Sequence, residues 1–267
     1  MTVIALVSIK GSPGVTTAAL ALGAVWSRPI LVAECDPAGG DVAAGLLRGE
    51  APPTGGLLSL AVAARRPLPP GAALGHCIRL SEDDGYLLLP GLLDPAHAAA
   101  VTPAWATIAA AFRDLGDPPV CVDVLADCGR FGHDSPVDVI VGSDVLVVVL
   151  RPTLRQVQAV RFQLPSLRAA AARTGTPPEF GLLLVGDEPY GSDEVASALG
   201  VPVLATLADD PASASTLSDG APRRRGFDRS PLIRTARNAA QRLARDADGP
   251  EREPQVPARP VSSGARP

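Results

Sequence analysis

A chain of 267 residues with a net charge of −4 and 46% hydrophobic residues is long enough for one large α/β domain and too apolar for disorder throughout. This charge gives no general attraction to nucleic acid or to an anionic membrane, so any such contact must be local. No apolar stretch approaches the length that crosses a bilayer, and residues 1–9 carry no charged signal-peptide region. We therefore expect a cytoplasmic protein.

Apolar runs that alternate with helical segments predict a parallel, doubly wound α/β sheet. The predicted strands are 2–8, 29–33, 86–89, 120–126, 145–150, 181–185 and 201–206. The predicted helices are 16–26, 57–65, 102–115, 153–172, 192–199 and 231–245. These elements predict one domain over residues 1–245, followed at 246–267 by a disordered tail, because that segment is rich in Pro and Arg and nearly without apolar residues.

The position of the single lysine and the spacing of the four cysteines indicate which kinds of site the chain contains. It has 23 arginines and a single lysine, Lys10, whose place in a glycine-rich loop favours a functional role. The cysteines, Cys35, Cys77, Cys121 and Cys128, are widely spaced and form no C-x-x-C pair. We interpret them as small buried hydrophobic residues rather than as zinc ligands or disulfide partners.

A glycine-rich loop lies between the first predicted strand and the first predicted helix. Its residues are Lys10, Gly11, Ser12, Pro13, Gly14, Val15, Thr16 and Thr17. There, backbone N–H groups and the helix dipole can receive phosphate oxygens, the glycines allow close approach, and Thr16 can ligate Mg²⁺. The loop resembles the deviant Walker A loop of the MinD/ParA ATPases, K-G-G-x-G-K-T-[ST], and departs from it at Pro13 and Val15.

Acidic residues at two further strand ends strengthen the resemblance. Residues 34–40, E-C-D-P-A-G-G, resemble the family's D-x-D-P-x-G segment, with Glu34 in place of the first aspartate. Asp36 would then position the attacking water and respond to the γ-phosphate. Asp127, at the end of an apolar strand, resembles the Walker B aspartate that holds Mg²⁺ through water, and Asp123 is the competing candidate.

The resemblance implies the P-loop NTPase fold over residues 1–245 and a site for ATP and Mg²⁺. Residues 10–17 would bind the phosphates. The segments 185–187, which ends at Asp187, and 209–211, which comprises Asp209, Asp210 and Pro211, fall where related proteins contact the base. The implied catalytic residues are Lys10 and Asp36. The implied Mg²⁺ ligands are Thr16, Asp36 and Asp127.

Val15 occupies the position of the loop lysine that pairs with β- and γ-phosphate oxygens in the family. Loss of one charge-assisted hydrogen bond, worth about 1.5–3 kcal/mol, should weaken triphosphate binding about tenfold to a hundredfold. Lys10 corresponds to the signature lysine that reaches across a dimer interface to the partner's phosphates. This implies a nucleotide-sandwich homodimer whose affinity depends on association. Alternatively, Lys10 folds back in cis, or Arg130 or Arg151 substitutes.

The resemblance implies two functions that differ in turnover. The first is an ATP-dependent switch with weak or no hydrolysis, which positions or assembles a cellular structure together with a protein partner of a partition, pilus or secretion system. The second is a pseudo-ATPase scaffold that recruits protein partners without turnover. Val15 favours the scaffold, whereas Lys10, Thr16, Asp36 and Asp127 favour the switch.

The C-terminal part of the chain bears on further partners. Residues 223–245 contain eight arginines and one acidic residue, with Arg234, Arg237, Gln241 and Arg245 at helical spacing. Non-specific DNA is therefore a candidate partner, and a solvated arginine-rich face is the commoner explanation. The proline-rich segment that follows lacks the amphipathic helix of septum-placing members, so we expect no direct membrane insertion. The motifs W-S, E-C-D-P-A-G-G-D and D-C-G-R resemble actinobacterial MinD-like proteins of pilus or secretion assembly.

Overall fold

The computed structural model of the chain describes residues 2–50, 54–81, 85–172 and 176–247, which form an eight-stranded sheet. The strands are β1 (Val3–Ser8), β2 (Ile30–Glu34), β3 (Ile78–Arg79), β4 (Tyr86–Leu89), β5 (Asp123–Arg130), β6 (Val145–Leu150), β7 (Glu179–Val185) and β8 (Val203–Leu207). The tail predicted at 246–267 lies outside the described residues except for its first two positions.

The strand order is β3-β4-β2-β5-β1-β6-β7-β8, and every neighbouring pair except β3 with β4 is parallel. The central strands β1 and β6 are buried along their whole length, which explains their continuous runs of Val, Leu and Ala. Because parallel strands end at the same edge of a sheet, the loops that follow β1, β2 and β5 meet there.

Helices cover both faces of the sheet. They are α1 (Val15–Gly23), α2 (Gly56–Ala63), α3 (Ala98–Val101), α4 (Trp105–Asp114), α5 (Val137–Val141), α6 (Leu154–Ala171), α7 (Ser192–Leu199), α8 (Pro211–Ser218) and α9 (Pro231–Ala247). Apolar residues of α2, α4, α6 and α7 form one buried cluster with the strands, and those of α1, α8 and α9 form a second on the other face. Among these helices of the described chain, none is long and apolar enough to cross a membrane.

The predicted fold class is confirmed, with differences in the bounds of single elements. The strand predicted at 120–126 begins at Asp123 and continues to Arg130, because Cys121 has a positive φ of 54° and Val120 lies in a hydrogen-bonded turn. The elements β3, α3, α5 and α8 are absent from the sequence-based prediction. The first three span two to five residues, which is too short to show a periodicity. The sequence of α8, P-A-S-A-S-T-L-S, has eight residues and no clear apolar stripe. The longer β5 extends further toward the carboxyl edge of the sheet than predicted.

Candidate functional site

The glycine-rich loop connects β1 to α1 at the carboxyl edge of the sheet. Gly11, with φ 77°, and Gly14, with φ 98°, adopt backbone conformations that other residues rarely reach. Gly14 is the N-cap of α1 and supplies no side-chain cap. The first backbone N–H groups of α1 therefore lack partners within the helix, which is the arrangement that receives anions at a helix N-terminus.

A cavity of about 590 Å³ lies against this loop. Its lining includes residues 11–17, Asp36, Asp41, Arg130 and Ser218. The predicted phosphate-binding residues other than Lys10 therefore share one cavity with the predicted catalytic Asp36. Asp41, which directly follows the segment 34–40, and Ser218, at the end of α8, also line the cavity and are not among the predicted site residues. Ser218 carries no local sequence signal, because packing between distant segments brings it to the cavity.

Thr16 and Asp127 meet beneath the loop. Thr16 Oγ1 donates to Asp127 Oδ2 at 2.5 Å, and Gly129 N–H donates to Asp127 Oδ1 at 3.0 Å. Asp127 is 2% exposed, and this burial raises its pKa to about 6, against the two hydrogen bonds and with a contribution from nearby carboxylates. The pair brings hydroxyl and carboxylate oxygens together, which are ligands that Mg²⁺ prefers.

Asp123, the competing candidate for the Mg²⁺ carboxylate, lies at the opposite edge of the sheet. It is fully buried at the first position of β5 and accepts from Thr2 N at 2.9 Å and Trp26 Nε1 at 2.8 Å. It also forms an ion pair with Arg28 Nε at 2.7 Å. Asp127, and not Asp123, therefore contacts the glycine-rich loop, and Asp123 joins the amino ends of β1, β2 and β5.

Asp36 follows β2 and lines the cavity. Its Oδ1 accepts from Ala38 N at 2.8 Å, and a Cβ placed on Gly129 would lie 1.9 Å from its Oδ2, so this glycine makes room for the carboxylate. Burial raises the pKa of Asp36; the Ala38 hydrogen bond and the Arg130 guanidinium oppose this rise, and Asp41 reinforces it. The carboxylate is therefore held in the cavity by its turn and by close packing.

Glu34, which replaces the family's first aspartate, joins two loops. Its Oε1 accepts from Val42 N at 3.0 Å and its Oε2 from Gly91 N at 2.9 Å. Burial raises the pKa of Glu34 to about 7, with these hydrogen bonds opposing the rise. A Cβ on Gly40 would lie 2.9 Å from both Glu34 Oε2 and Gly91 Cα, so the two glycines permit this close approach. Through these two hydrogen bonds, Glu34 connects the segment after β2 with the loop after β4.

The basic side chains near the loop occupy different positions. Lys10 is exposed and does not line the cavity. Arg130 lines it, and its Nη2 donates to Gly11 O at 3.2 Å. Arg151 lies on the other flank of the loop, where its guanidinium forms two hydrogen bonds with the Asp209 carboxylate. The structure therefore places Arg130, rather than Lys10 or Arg151, at the cavity.

The residues predicted to contact a base lie apart from the main cavity. A second cavity of about 210 Å³ flanks the loop and is lined by Pro13, Asp209 and Asp210 among others. Asp187 lines a third cavity of about 230 Å³, which shares Asp209 with the second. Pro211 begins α8 and lines none of these three cavities. The structure thus places Asp209 and Asp210 in a cavity that the loop also lines, and neither Asp187 nor Pro211 lines that cavity.

No protein-family model matches the sequence, and a comparison with curated protein sequences gives no match. Solved structures, in contrast, match nearly the whole chain. The septum site-determining protein MinD from Pyrococcus horikoshii, complexed with Mg-ADP, is 20% identical with a TM-score of 0.69, and the match covers 92% of this chain and 97% of that one.

Two further structures match over a similar length. A ParA family ATPase from Chlorobium tepidum is 18% identical with a TM-score of 0.66, and the match covers 91% of this chain and 98% of that one. The MinC:MinD cell division protein complex from Aquifex aeolicus is 13% identical with a TM-score of 0.65, with 91% and 96% covered. The chain therefore has the fold of the MinD/ParA P-loop ATPases.

Proposed function

We propose that this chain is an ATP- and Mg²⁺-binding switch protein of the MinD/ParA kind that positions or assembles a cellular structure, with weak or no hydrolysis. The observation that carries the proposal is the Thr16–Asp127 hydrogen bond beneath a glycine-rich loop whose cavity also contains Asp36. The cavity, at about 590 Å³, falls within the usual range for small-molecule and cofactor sites. Likeness to a septum site-determining protein, a ParA family ATPase and a MinC:MinD complex supports the cellular role and a protein partner.

The residues around the loop fit a magnesium nucleotide. The backbone of residues 11–15 would bind phosphate oxygens, Thr16 would ligate Mg²⁺ through its hydroxyl, and Asp127 would hold the ion through water. Within the part of the chain that the structure describes, no group of three or more His, Cys, Asp and Glu side chains could hold a metal ion. Phosphate oxygens and water would therefore complete the coordination, and the bound ion would neutralise phosphate charge.

Weak hydrolysis follows from Val15, whose side chain is 7% exposed and belongs to the apolar cluster around α1. An aliphatic side chain cannot stabilise the charge that develops on a transferred phosphoryl group. A pseudo-ATPase scaffold is therefore the second candidate function. Phosphate release and molecular mass together distinguish the two: turnover that Asp36→Asn abolishes, or a dimer that forms only with MgATP, supports the switch, whereas the absence of both turnover and a nucleotide-dependent change of mass supports the scaffold.

Lys10 is expected to act across a nucleotide-sandwich dimer, since its side chain is exposed and does not line the cavity of its own chain. Lys10→Ala should prevent dimerisation in the presence of MgATP and leave the monomer folded, because it removes a charge that would pair with the partner's phosphates. Light scattering with and without MgATP measures the mass. Arg65→Ala, which removes one exposed charge just beyond α2, is the matched control. Dimerisation of Lys10→Ala at the same nucleotide concentration as the unmodified chain would refute this role.

Non-specific DNA is a second candidate ligand, favoured by a group of exposed arginines. All eight arginines of residues 223–245 are exposed: Arg223, Arg224, Arg225, Arg229, Arg234, Arg237, Arg242 and Arg245. Duplex DNA should therefore bind at low salt with an affinity that falls steeply as salt rises. A double variant, Arg234→Ala with Arg237→Ala, should reduce the slope of log affinity against log salt by about 0.9 for each phosphate that the protein no longer neutralises. Absence of binding at low salt would exclude DNA as a ligand.

A further inference from the structure

The cavity beside the glycine-rich loop has an excess of acidic over basic side chains. Asp36 and Asp41 line it, Asp127 lies beneath it, and the loop position that holds a lysine in the deviant Walker A pattern is Val15. A phosphate chain placed among these carboxylates needs a protein cation close by, because like charges at short range repel strongly. Among the described residues that line the cavity, Arg130 is the one basic side chain.

Two features of β5 place Arg130 at the loop. The register between β1 and β5 shifts near the strand ends, so that Ser8 pairs with Arg130. The preceding residue, Gly129, has a φ of 61°, which turns the chain in a way that other residues rarely allow. The Arg130 guanidinium then donates from Nη2 to Gly11 O at 3.2 Å. The side chain is therefore held on the loop that would receive the phosphates.

The other cations near the loop are less suited to this role. The Arg151 guanidinium is already paired with the Asp209 carboxylate and lines the smaller cavities on the opposite flank. Lys10 is exposed and does not line the cavity. Arg130 is thus the cation that lines the same cavity as Val15, the position of the missing lysine.

The chemistry of the Arg130 side chain also suits a phosphate. A guanidinium presents five donors in a planar fork that matches phosphate oxygens, so one N–H can remain on Gly11 O while others bind the ligand. Arg130 lines the same cavity as Asp36 and as the loop that would receive the phosphates. Its guanidinium is therefore close enough to act on an anion bound there.

We infer that Arg130 is the phosphate-binding cation that acts within the same chain and replaces the loop lysine absent at Val15. Its guanidinium binds the phosphate chain in the monomer, and Lys10 contributes only when two chains associate. This inference rests on the proposed function, because it takes the ligand of the cavity to be a nucleotide polyphosphate.

Calorimetric titration of the full chain with a non-hydrolysable ATP analogue and Mg²⁺ tests the inference. Arg130→Gln should bind about tenfold to a hundredfold more weakly than the unmodified chain, which is the effect of losing one charge-assisted hydrogen bond. Arg65→Gln, which removes an exposed charge elsewhere, should bind as the unmodified chain does. The double variant Val15→Lys with Arg130→Gln should recover most of the missing affinity, because it returns a cation to the loop.

Each result of these titrations is decisive. Recovery in the double variant supports the inference, because a general defect of folding would not be repaired by a lysine on the loop. Unchanged affinity in Arg130→Gln would overturn the inference and leave the proposed function standing. Because Val15 is buried in an apolar cluster, the double variant must also unfold at the same urea concentration as Arg130→Gln. Weakened affinity that is not recovered in a double variant of that stability would make Arg130 a structural residue and also overturn the inference. Absence of binding by the unmodified chain would overturn the proposed function and this inference together.

Discussion

Asp127→Asn should abolish the Mg²⁺ dependence of nucleotide binding and raise the free energy of unfolding of the nucleotide-free chain at pH 8. Asparagine keeps an oxygen for Gly129 N–H and an amide beside Thr16 Oγ1, so the local packing survives while the charge that attracts Mg²⁺ is removed. The affinity gained from Mg²⁺, about tenfold to a hundredfold if one charge-assisted interaction carries it, should disappear.

Asp127→Asn should weaken nucleotide binding in the presence of Mg²⁺ and at the same time raise the free energy of unfolding. Burial raises the pKa of Asp127 from 3.8 to about 6, so the carboxyl group stabilises the fold below about pH 4 and this contribution is lost as the pH rises through 6. At pH 8 the buried, ionised carboxylate therefore costs about 3 kcal/mol of stability, and a neutral amide removes this cost. Urea unfolding at pH 8 measures the resulting rise in the free energy of unfolding.

Asp123→Asn is the matched control, because Asp123 lies in the same strand and is equally buried. It should lower the free energy of unfolding, since Trp26 Nε1 and Arg28 Nε lose a charged acceptor. The Mg²⁺ dependence of nucleotide affinity should be unchanged in this variant. If Asp127→Asn retained its Mg²⁺ dependence, or Asp123→Asn lost it, Asp127 would not be the carboxylate that holds the ion.

The nucleotide-free chain should lose roughly 4 kcal/mol of stability between pH 5 and pH 8. Burial raises the pKa of Glu34 from 4.5 to about 7 and that of Asp127 from 3.8 to about 6. Both folded values lie above the ordinary values, so each group stabilises the fold when protonated, and the contribution disappears as the pH rises through 6 to 7. The pKa of Asp36 is also raised, which adds to the same trend.

Urea unfolding across this pH range measures the effect, and Asp127→Asn should remove the part that belongs to Asp127. MgADP should stabilise the chain more at pH 8 than at pH 5, because the bound cation favours the ionised carboxylate. A stability that is flat or rises from pH 5 to pH 8 would show that these carboxylates are ionised in the fold without a penalty.

The parts of the site that lie in one continuous segment could be predicted from the sequence. Residues 10–17 combine a strand end, two glycines and a hydroxyl residue, and residues 34–40 combine a strand end with two acidic residues. Both segments carry their signal within a few positions, and the order of parallel strands then brings them to one edge. The structure places Asp36 and residues 11–17 around one cavity accordingly.

The remaining parts depend on packing between distant segments. Asp41 and Ser218 reach the cavity because the segment after β2 packs on the end of α8, where a Cβ on Gly45 would lie 1.7 Å from Ser218 O. Arg48 Nη2 donates to Gly220 O at 2.6 Å across the same interface. No local pattern reports such packing, so Ser218 could not be predicted, whereas Asp41 directly follows the segment 34–40 that the sequence singles out.

The sequence favours Asp127 over Asp123 as the Mg²⁺ carboxylate, and the structure shows how the positions of the two residues differ. The apolar pattern starts the strand at 120, whereas the turn at Cys121 delays β5 until Asp123. Asp123 is therefore the first residue of β5, at the amino edge, whereas Asp127 lies toward the carboxyl edge, where it contacts the loop through Thr16. The prediction that Asp187 and Pro211 contact the base rested on the resemblance alone, and neither residue lines the main cavity.

Titration of the unmodified chain with MgATP, with the molecular mass followed by light scattering, decides whether the chain is a nucleotide-dependent switch. We expect saturable binding of one nucleotide per chain, with a mass that rises from monomer to dimer and a response that requires Mg²⁺. Absence of binding at millimolar MgATP would contradict the proposed function.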